Sequence, residues 1–126
     1  PLCGMTVRAG FPSPADDFVV ERLDLMQLLV KHPQATFFWR VRGDSMAQAG
    51  IDDGAIITVD RAIRPKHGHI VLALVDNECT VKFLHQRGRS VKLRAANPTY
   101  PDIVPRDGQT IEACGVVTAS LKLFPT

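Results

Sequence analysis

From Pro33 onward the chain reads as a succession of short strands. The stretches Thr36 to Arg42, Ala55 to Asp60, His69 to Asp76, Cys79 to Leu84, Ser90 to Ala95 and Thr110 to Leu123 carry β-branched and aromatic residues. They are separated by turn signals such as Asp52-Asp53-Gly54, Asp76-Asn77-Glu78 and Gln86-Arg87-Gly88. Short strands joined by turns rather than by long helical crossovers pair antiparallel, so the pattern predicts a mostly β domain of antiparallel sheets. Val75-Asp76-Asn77-Glu78-Cys79 reads as a tight hairpin that sets the strand of Lys82 beside Ile70 to Leu74. Only one helix is credible. From Asp24 to His32 the residues Leu25, Leu28 and Leu29 fall at helical spacing before Pro33 stops the run, which predicts about two to three turns.

Residues 1–15 have a different character, with Gly4, Gly10, Pro12 and Pro14 among small side chains. Proline disfavours helix and favours an extended path, so this segment is expected to be a flexible arm, with residues 16–126 forming the folded domain. A length of 126 residues suits one domain that buries a continuous core without metal or disulfide staples. Residues 1–10 lack the apolar stretch of a signal peptide, and the opening on proline rather than methionine predicts that some native N-terminus is missing. No apolar run approaches the roughly 20 residues that span a bilayer, which points to a soluble protein. Cys3, Cys79 and Cys114 are odd in number and irregular in spacing, as expected of three free thiols in a reducing cytoplasm. A net charge of only +2 does not imply a dedicated nucleic-acid surface, so any link to DNA should run through a partner.

Two motifs carry chemistry. Gly43-Asp44-Ser45-Met46 follows the strand ending at Val41, which places Ser45 at a sharp turn where backbone N–H groups are exposed. Alone, Gly-Asp-Ser is an ordinary loop composition. The second motif is Thr80-Val81-Lys82-Phe83-Leu84, in which strand alternation puts Thr80, Lys82 and Leu84 on one face. Alone, that lysine belongs on the wet face of a sheet. Together they form a nucleophile and base pair, because a serine hydroxyl attacks only once a base takes its proton, and a lysine accepts one only when neutral. Holding a lysine neutral at pH 7 costs about 4 kcal/mol. Burial can supply a shift of that size.

The arm supplies a fitting substrate. In Ala9-Gly10 a small residue precedes glycine, so the backbone can approach a narrow site closely, and Phe11-Pro12-Ser13-Pro14 follows. Val7 and Arg8 could add a strand to a sheet edge. Cys3-Gly4 is a second dipeptide of the right type with no matching sequence after it.

With these segments in the same order and spacing, 35 residues from Gly10 to Ser45 and 37 from Ser45 to Lys82, the chain resembles the UmuD/MucA family. That family is related to the C-terminal domain of the LexA repressor and to the signal-peptidase-like Ser-Lys peptidases, and the likeness runs from about Gly10 to near the C-terminus. It implies a LexA-like fold of antiparallel sheets with one short helix and an extended N-terminal arm. It implies a Ser45–Lys82 dyad, an oxyanion hole from the backbone N–H groups of Asp44 and Ser45, and self-cleavage at Ala9-Gly10, since relatives cut at Cys-Gly or Ala-Gly. By the same resemblance the RecA filament on single-stranded DNA stimulates cleavage, and the processed form is the active one in the SOS response. No cofactor or metal is implied.

Other residue types offer less. His67 and His69 form a His-x-His pair on one side of a strand, but no Cys-x-x-Cys or His-Glu-x-x-His pattern completes a metal site, and His32 and His85 have no evident partner. Arg87, Arg89, Lys92 and Arg94 read as a solvated face.

Two functional readings remain. One is a self-cleaving serine protease. The other is a non-enzymatic binding module, a homodimeric subunit that recruits a UmuC-like Y-family polymerase for translesion synthesis. The family likeness makes them successive, with Val116 to Leu121 offered either as a strand packing across a two-fold axis or as an interior strand. A signal peptidase would need a membrane anchor, and a LexA-type repressor a DNA-binding domain for which the arm is too short.

Overall fold

Alternating side chains and tight turns build one six-stranded antiparallel sheet in the computed structural model, which describes residues 24–106 and 108–126. The strands are β1 (Thr36–Arg40), β2 (Ile56–Asp60), β3 (Ile70–Val75), β4 (Glu78–Arg87), β5 (Ser90–Arg94) and β6 (Ile111–Leu121), in the order β1-β2-β6-β3-β4-β5. Each expected strand is present, trimmed or extended at its ends. The proposed arm and the boundary at residue 15 lie outside the described residues.

The β3–β4 hairpin closes on the pair Val75↔Glu78, with Asp76 and Asn77 at φ 50° and 66°. Two successive residues at positive φ match the right-handed twist of the flanking strands, and Asp and Asn tolerate that conformation better than most side chains. The hairpin aligns Lys82 with Val71. The β4–β5 turn sits one residue later than the sequence suggested, at Gly88-Arg89, because Arg87 pairs with Ser90 and Gly88 takes the left-handed conformation.

The helix differs from expectation. It covers only α1 (Leu25–Leu29), not Asp24 to His32. Asp24 caps its start by accepting the Gln27 N–H at 3.2 Å. Val30 is already extended, and His32 is held away from helical geometry by Pro33, which opens a 3-10 turn over Pro33–Ala35. Leu25 and Met26 stay more than half exposed, so little apolar burial is available to carry a longer helix, whose own propagation is marginal.

The sheet buries apolar residues on both faces. Ile57, Val59, Leu72, Met46 and Ile51 form one cluster, and Val71, Ala73, Leu84, Leu93 and Val116 another. Neighbours Val71 and Leu72 enter different clusters because successive strand side chains point oppositely. This explains why Ile70–Val75 reads as an unbroken apolar run. Each fully buried side chain contributes about 1.5–3 kcal/mol of transfer free energy.

β6 lies between β2 and β3 in the sheet order, hydrogen-bonded to β2 on one edge and β3 on the other. The two partners cover different lengths, β3 pairing with Ile111–Val116 and β2 with Val116–Leu121, so beyond Val116 one edge of β6 has no strand partner among the described residues. Gly115 permits the tight packing there, since an added Cβ would stand 2.6 Å from Val59 Cγ1.

Candidate active site

The Ser45 turn is tied down before and after the serine. Beyond β1, Val41 N donates to Ala55 O at 2.8 Å and Gly54 N to Val41 O at 2.7 Å. Gly43 then reverses the chain at φ +94°, which only glycine adopts without strain, and its N–H donates to Asp53 Oδ1 at 2.8 Å. Ala47 N closes the turn on Asp44 O at 3.1 Å. Met46, 1% exposed, anchors the far side in the core. Ser45 is left half-buried at the rim of a cleft.

Lys82 reaches that serine from β4. Its Nζ donates to Ser45 Oγ at 2.9 Å, to Thr80 Oγ1 at 2.8 Å and to Val81 O at 3.2 Å. Thr80 and Lys82 meet because residues two apart share a strand face. Lys82 is 8% exposed, and among the described residues no carboxylate pairs with it. Burial without a counter-charge penalises the ammonium and pushes the Lys82 pKa below the ordinary lysine value. The wet-face reading of this lysine does not hold.

The cleft has a volume of 330 Å³ and is lined by Trp39 to Arg42, by Cys79 to Lys82, and by Ile57 and Leu72 between them. β1 and β4 stand four places apart in the sheet order, so the sheet must curl for both to line one cleft. The lining is mainly apolar around the Ser45 and Thr80 hydroxyls and the Lys82 amine, with Arg40 and Arg42 among its residues, a chemistry suited to acyl transfer on an extended backbone.

Among the described residues, neither the Asp44 nor the Ser45 backbone N–H has a hydrogen-bond acceptor. Nothing among those residues competes with a substrate oxygen for either N–H. Ala9 and Gly10, like Cys3-Gly4, lie outside the described residues.

The loop after β5 was not singled out from the sequence, yet it braces the serine turn. Asn97 Nδ2 donates to Asp44 O at 3.0 Å, Tyr100 Oη to Asp44 Oδ1 at 2.7 Å, and Gln48 N to Ala96 O at 2.9 Å. Asn97-Pro98-Thr99-Tyr100 carries only a turn signal, and nothing local indicates contact with a residue 53 positions earlier. Thr80 was legible, as the residue two before the lysine on one face.

The histidines behave differently from expectation. His67 and His69 lie in the loop before β3, not on a strand, and each Nδ1 accepts a separate backbone N–H, from Gln86 and Lys66 respectively. His32 does have a partner, Asp60, whose Oδ2 is 2.6 Å from its Nδ1. His85 packs edge-on against His67 with ring centroids 4.8 Å apart. Its pKa is lowered, first by desolvation and then by Arg94, Lys92, His67 and Arg87. No group of three or more His, Cys, Asp or Glu side chains among the described residues is arranged to hold a metal. Cys79 and Cys114 are free thiols. Lys92 and Arg94 share Asp102 at 3.2 and 3.6 Å.

Residues 1–118 match the model of the Peptidase S24-like family. The chain belongs to that family. Among S24-like relatives it is 44% identical to Protein SamA of Salmonella typhimurium over 119 residues, which is 94% of this chain and 82% of that protein. It is 43% identical to Protein MucA of Escherichia coli over 120 residues, 94% of this chain and 82% of MucA. A LexA repressor from Syntrophotalea carbinolica is 40% identical over 126 residues, 98% of this chain and 60% of that repressor. The likeness to UmuD/MucA proteins, drawn from three short motifs, therefore extends along nearly the whole chain. No helix among the described residues of this S24-like chain is long and apolar enough to cross a membrane.

Proposed function

We propose that this chain is a serine endopeptidase that cuts its own arm between Ala9 and Gly10, using Ser45 as nucleophile and Lys82 as base. The observation that carries this reading is the 2.9 Å approach of Lys82 Nζ to Ser45 Oγ. Desolvation of that amine adds to it. Once neutral, Lys82 accepts the Ser45 proton, and Ser45 Oγ bonds to the Ala9 carbonyl carbon. The Asp44 and Ser45 N–H groups stabilise the oxyanion. The Ala9–Gly10 C–N bond then breaks, and the Lys82 ammonium returns its proton to the departing Gly10 amine. Water, deprotonated by the same lysine, bonds to the Ala9 carbonyl carbon; the bond to Ser45 Oγ breaks and the lysine returns the proton to that oxygen.

The likeness to UmuD/MucA proteins supports the rest of the reading. The processed chain works in the cytoplasm as a homodimer within SOS mutagenesis, serving a UmuC-like Y-family polymerase in translesion synthesis, with the RecA–single-stranded DNA filament stimulating cleavage. The binding role has one structural observation in its favour. Phe37, Phe38 and Trp39 are 44–46% exposed on β1, an edge strand of the described sheet. Exposed apolar groups on such an edge favour partner contacts.

The experiment is mass spectrometry of the purified chain after incubation at alkaline pH. A product beginning at Gly10, absent in Ser45→Ala, is expected. Equal cleavage in Ser45→Ala overturns the enzyme reading. For the dimer, wild-type protein sedimenting as a monomer at tens of micromolar would remove that part of the proposal.

A further inference from the structure

The oxyanion hole depends on how one peptide plane is turned, and that plane is held from a distant loop. We infer that Asn97 is a positioning residue for the hole, acting through the Asp44 carbonyl. The inference rests on the proposed peptidase reading and extends it to a residue outside both motifs.

A peptide unit is planar and trans, so the Asp44 C=O and the Ser45 N–H point in opposite directions from one rigid plane. Whatever fixes the oxygen aims the N–H. Asp44 O accepts from Ala47 N at 3.1 Å, within the turn, and from Asn97 Nδ2 at 3.0 Å, from outside it. The external bond prevents the turn from rolling as a unit.

The amide orientation of Asn97 follows from its neighbours. Its Oδ1 accepts Thr99 N at 3.0 Å and Thr99 Oγ1 at 2.8 Å, so the NH₂ end must face Asp44. The loop is itself pinned to the serine turn. Ala96 N meets Met46 Sδ at 3.3 Å, Gln48 N donates to Ala96 O, and Tyr100 Oη holds the Asp44 carboxylate at 2.7 Å. That last bond restrains a negative charge beside the place where the oxyanion forms. The Asp44 carboxylate, through this hydrogen bond and its charge, raises the Tyr100 phenol pKa.

Asn97→Asp separates positioning from loop-building. It keeps an oxygen for Thr99 but presents a second oxygen to Asp44 O, where a donor is needed. Self-cleavage of the full chain is followed by mass spectrometry from pH 7 to 10 in wild type, Asn97→Asp, Asn97→Ala and Ser45→Ala. Removing a complete oxyanion-hole donor costs about 10²–10³ in rate; misaiming one should cost about tenfold. The alkaline plateau should therefore fall about tenfold in both Asn97 variants, while in Asn97→Ala, which adds no charge, the midpoint of the pH profile, set by Lys82, stays in place.

A wild-type plateau in Asn97→Asp with a loss in Asn97→Ala would mean that Asn97 only shapes its loop, and would overturn the inference. So would a shifted midpoint in Asn97→Ala. If Asn97→Asp fails to fold, a wild-type plateau in Asn97→Ala overturns the inference. Cleavage persisting in Ser45→Ala would overturn the peptidase reading instead. Backbone NMR relaxation at the residue 45 amide gives a readout independent of cleavage. It should report a rigid N–H in wild type and a looser one in Asn97→Asp, and equal order in the two would also sink the inference.

Discussion

Thr80 Oγ1 stands 2.8 Å from Lys82 Nζ, two residues back on the same face of β4, and fixes the direction from which the amine meets Ser45. The hydroxyl both aims the amine and favours its charged form. Thr80→Val keeps the shape and removes the acceptor. Cleavage at Ala9-Gly10 should slow by about tenfold, in line with the loss of a positioning contact. The midpoint of its pH profile should move down, because the ammonium loses a stabilising partner. Rates measured from pH 6 to 10 read both effects, and an upward midpoint would contradict the assignment.

Desolvation lowers the Lys82 pKa, so the neutral base becomes available below the ordinary lysine range. Self-cleavage should rise with pH through that depressed value and then level. Lys82→Arg should be inactive at every pH in the series, since a guanidinium stays charged. A rate flat from pH 6 to 10, or normal cleavage in Lys82→Arg, would remove lysine as the base.

The same burial makes Lys82 costly to the fold. Its pKa is lower folded than unfolded, so the unfolded chain binds more protons between the two values. Stability should therefore increase with pH across that window, up to about 10.4. Lys82→Met removes the buried amine with little change in volume and should raise Tm at pH 7 by about 3–5 °C, corresponding to about 1 kcal/mol. The gain should shrink as pH approaches 10. Thermal melts at pH 7 and pH 10 test the sign.

Asp60 is 3% exposed. Its burial alone would raise the carboxyl pKa, but hydrogen bonds from His32, Ala62 and Ile63 and the charge of His32 hold it below the usual value. A depressed folded pKa gives stability that is present above the unfolded value of about 3.9 and lost as pH falls through the folded one. His32→Ala should cost about 1–2 kcal/mol at pH 6, and the difference from wild type should close below about pH 4. Urea unfolding at the two pH values measures it.

Much of this protein was legible along the chain. Strand alternation, Asp76-Asn77 at the hairpin and the Thr80-Val81-Lys82 spacing are local properties, decided by backbone sterics and the two-residue period of a strand. The strands, the β3–β4 turn and the face shared by Thr80 and Lys82 could therefore be read from neighbours alone. The α1 boundary could not, because a marginal helix extends only as far as tertiary burial supports it, and Leu25 and Met26 find little. Whether Lys82 is wet or dry was likewise decided by the curl of the sheet, which brings Cys79 to Lys82 against Trp39 to Arg42. The brace from Asn97 and Tyr100 to Asp44, and the pairing of His32 with Asp60, join residues far apart in sequence. Such contacts depend on how the loops close in space, and no local pattern encodes them. The sequence thus determined which residues could act as nucleophile and base, and the tertiary structure alone decided their distance, their desolvation and what holds the turn beneath them, because these follow from packing between distant segments.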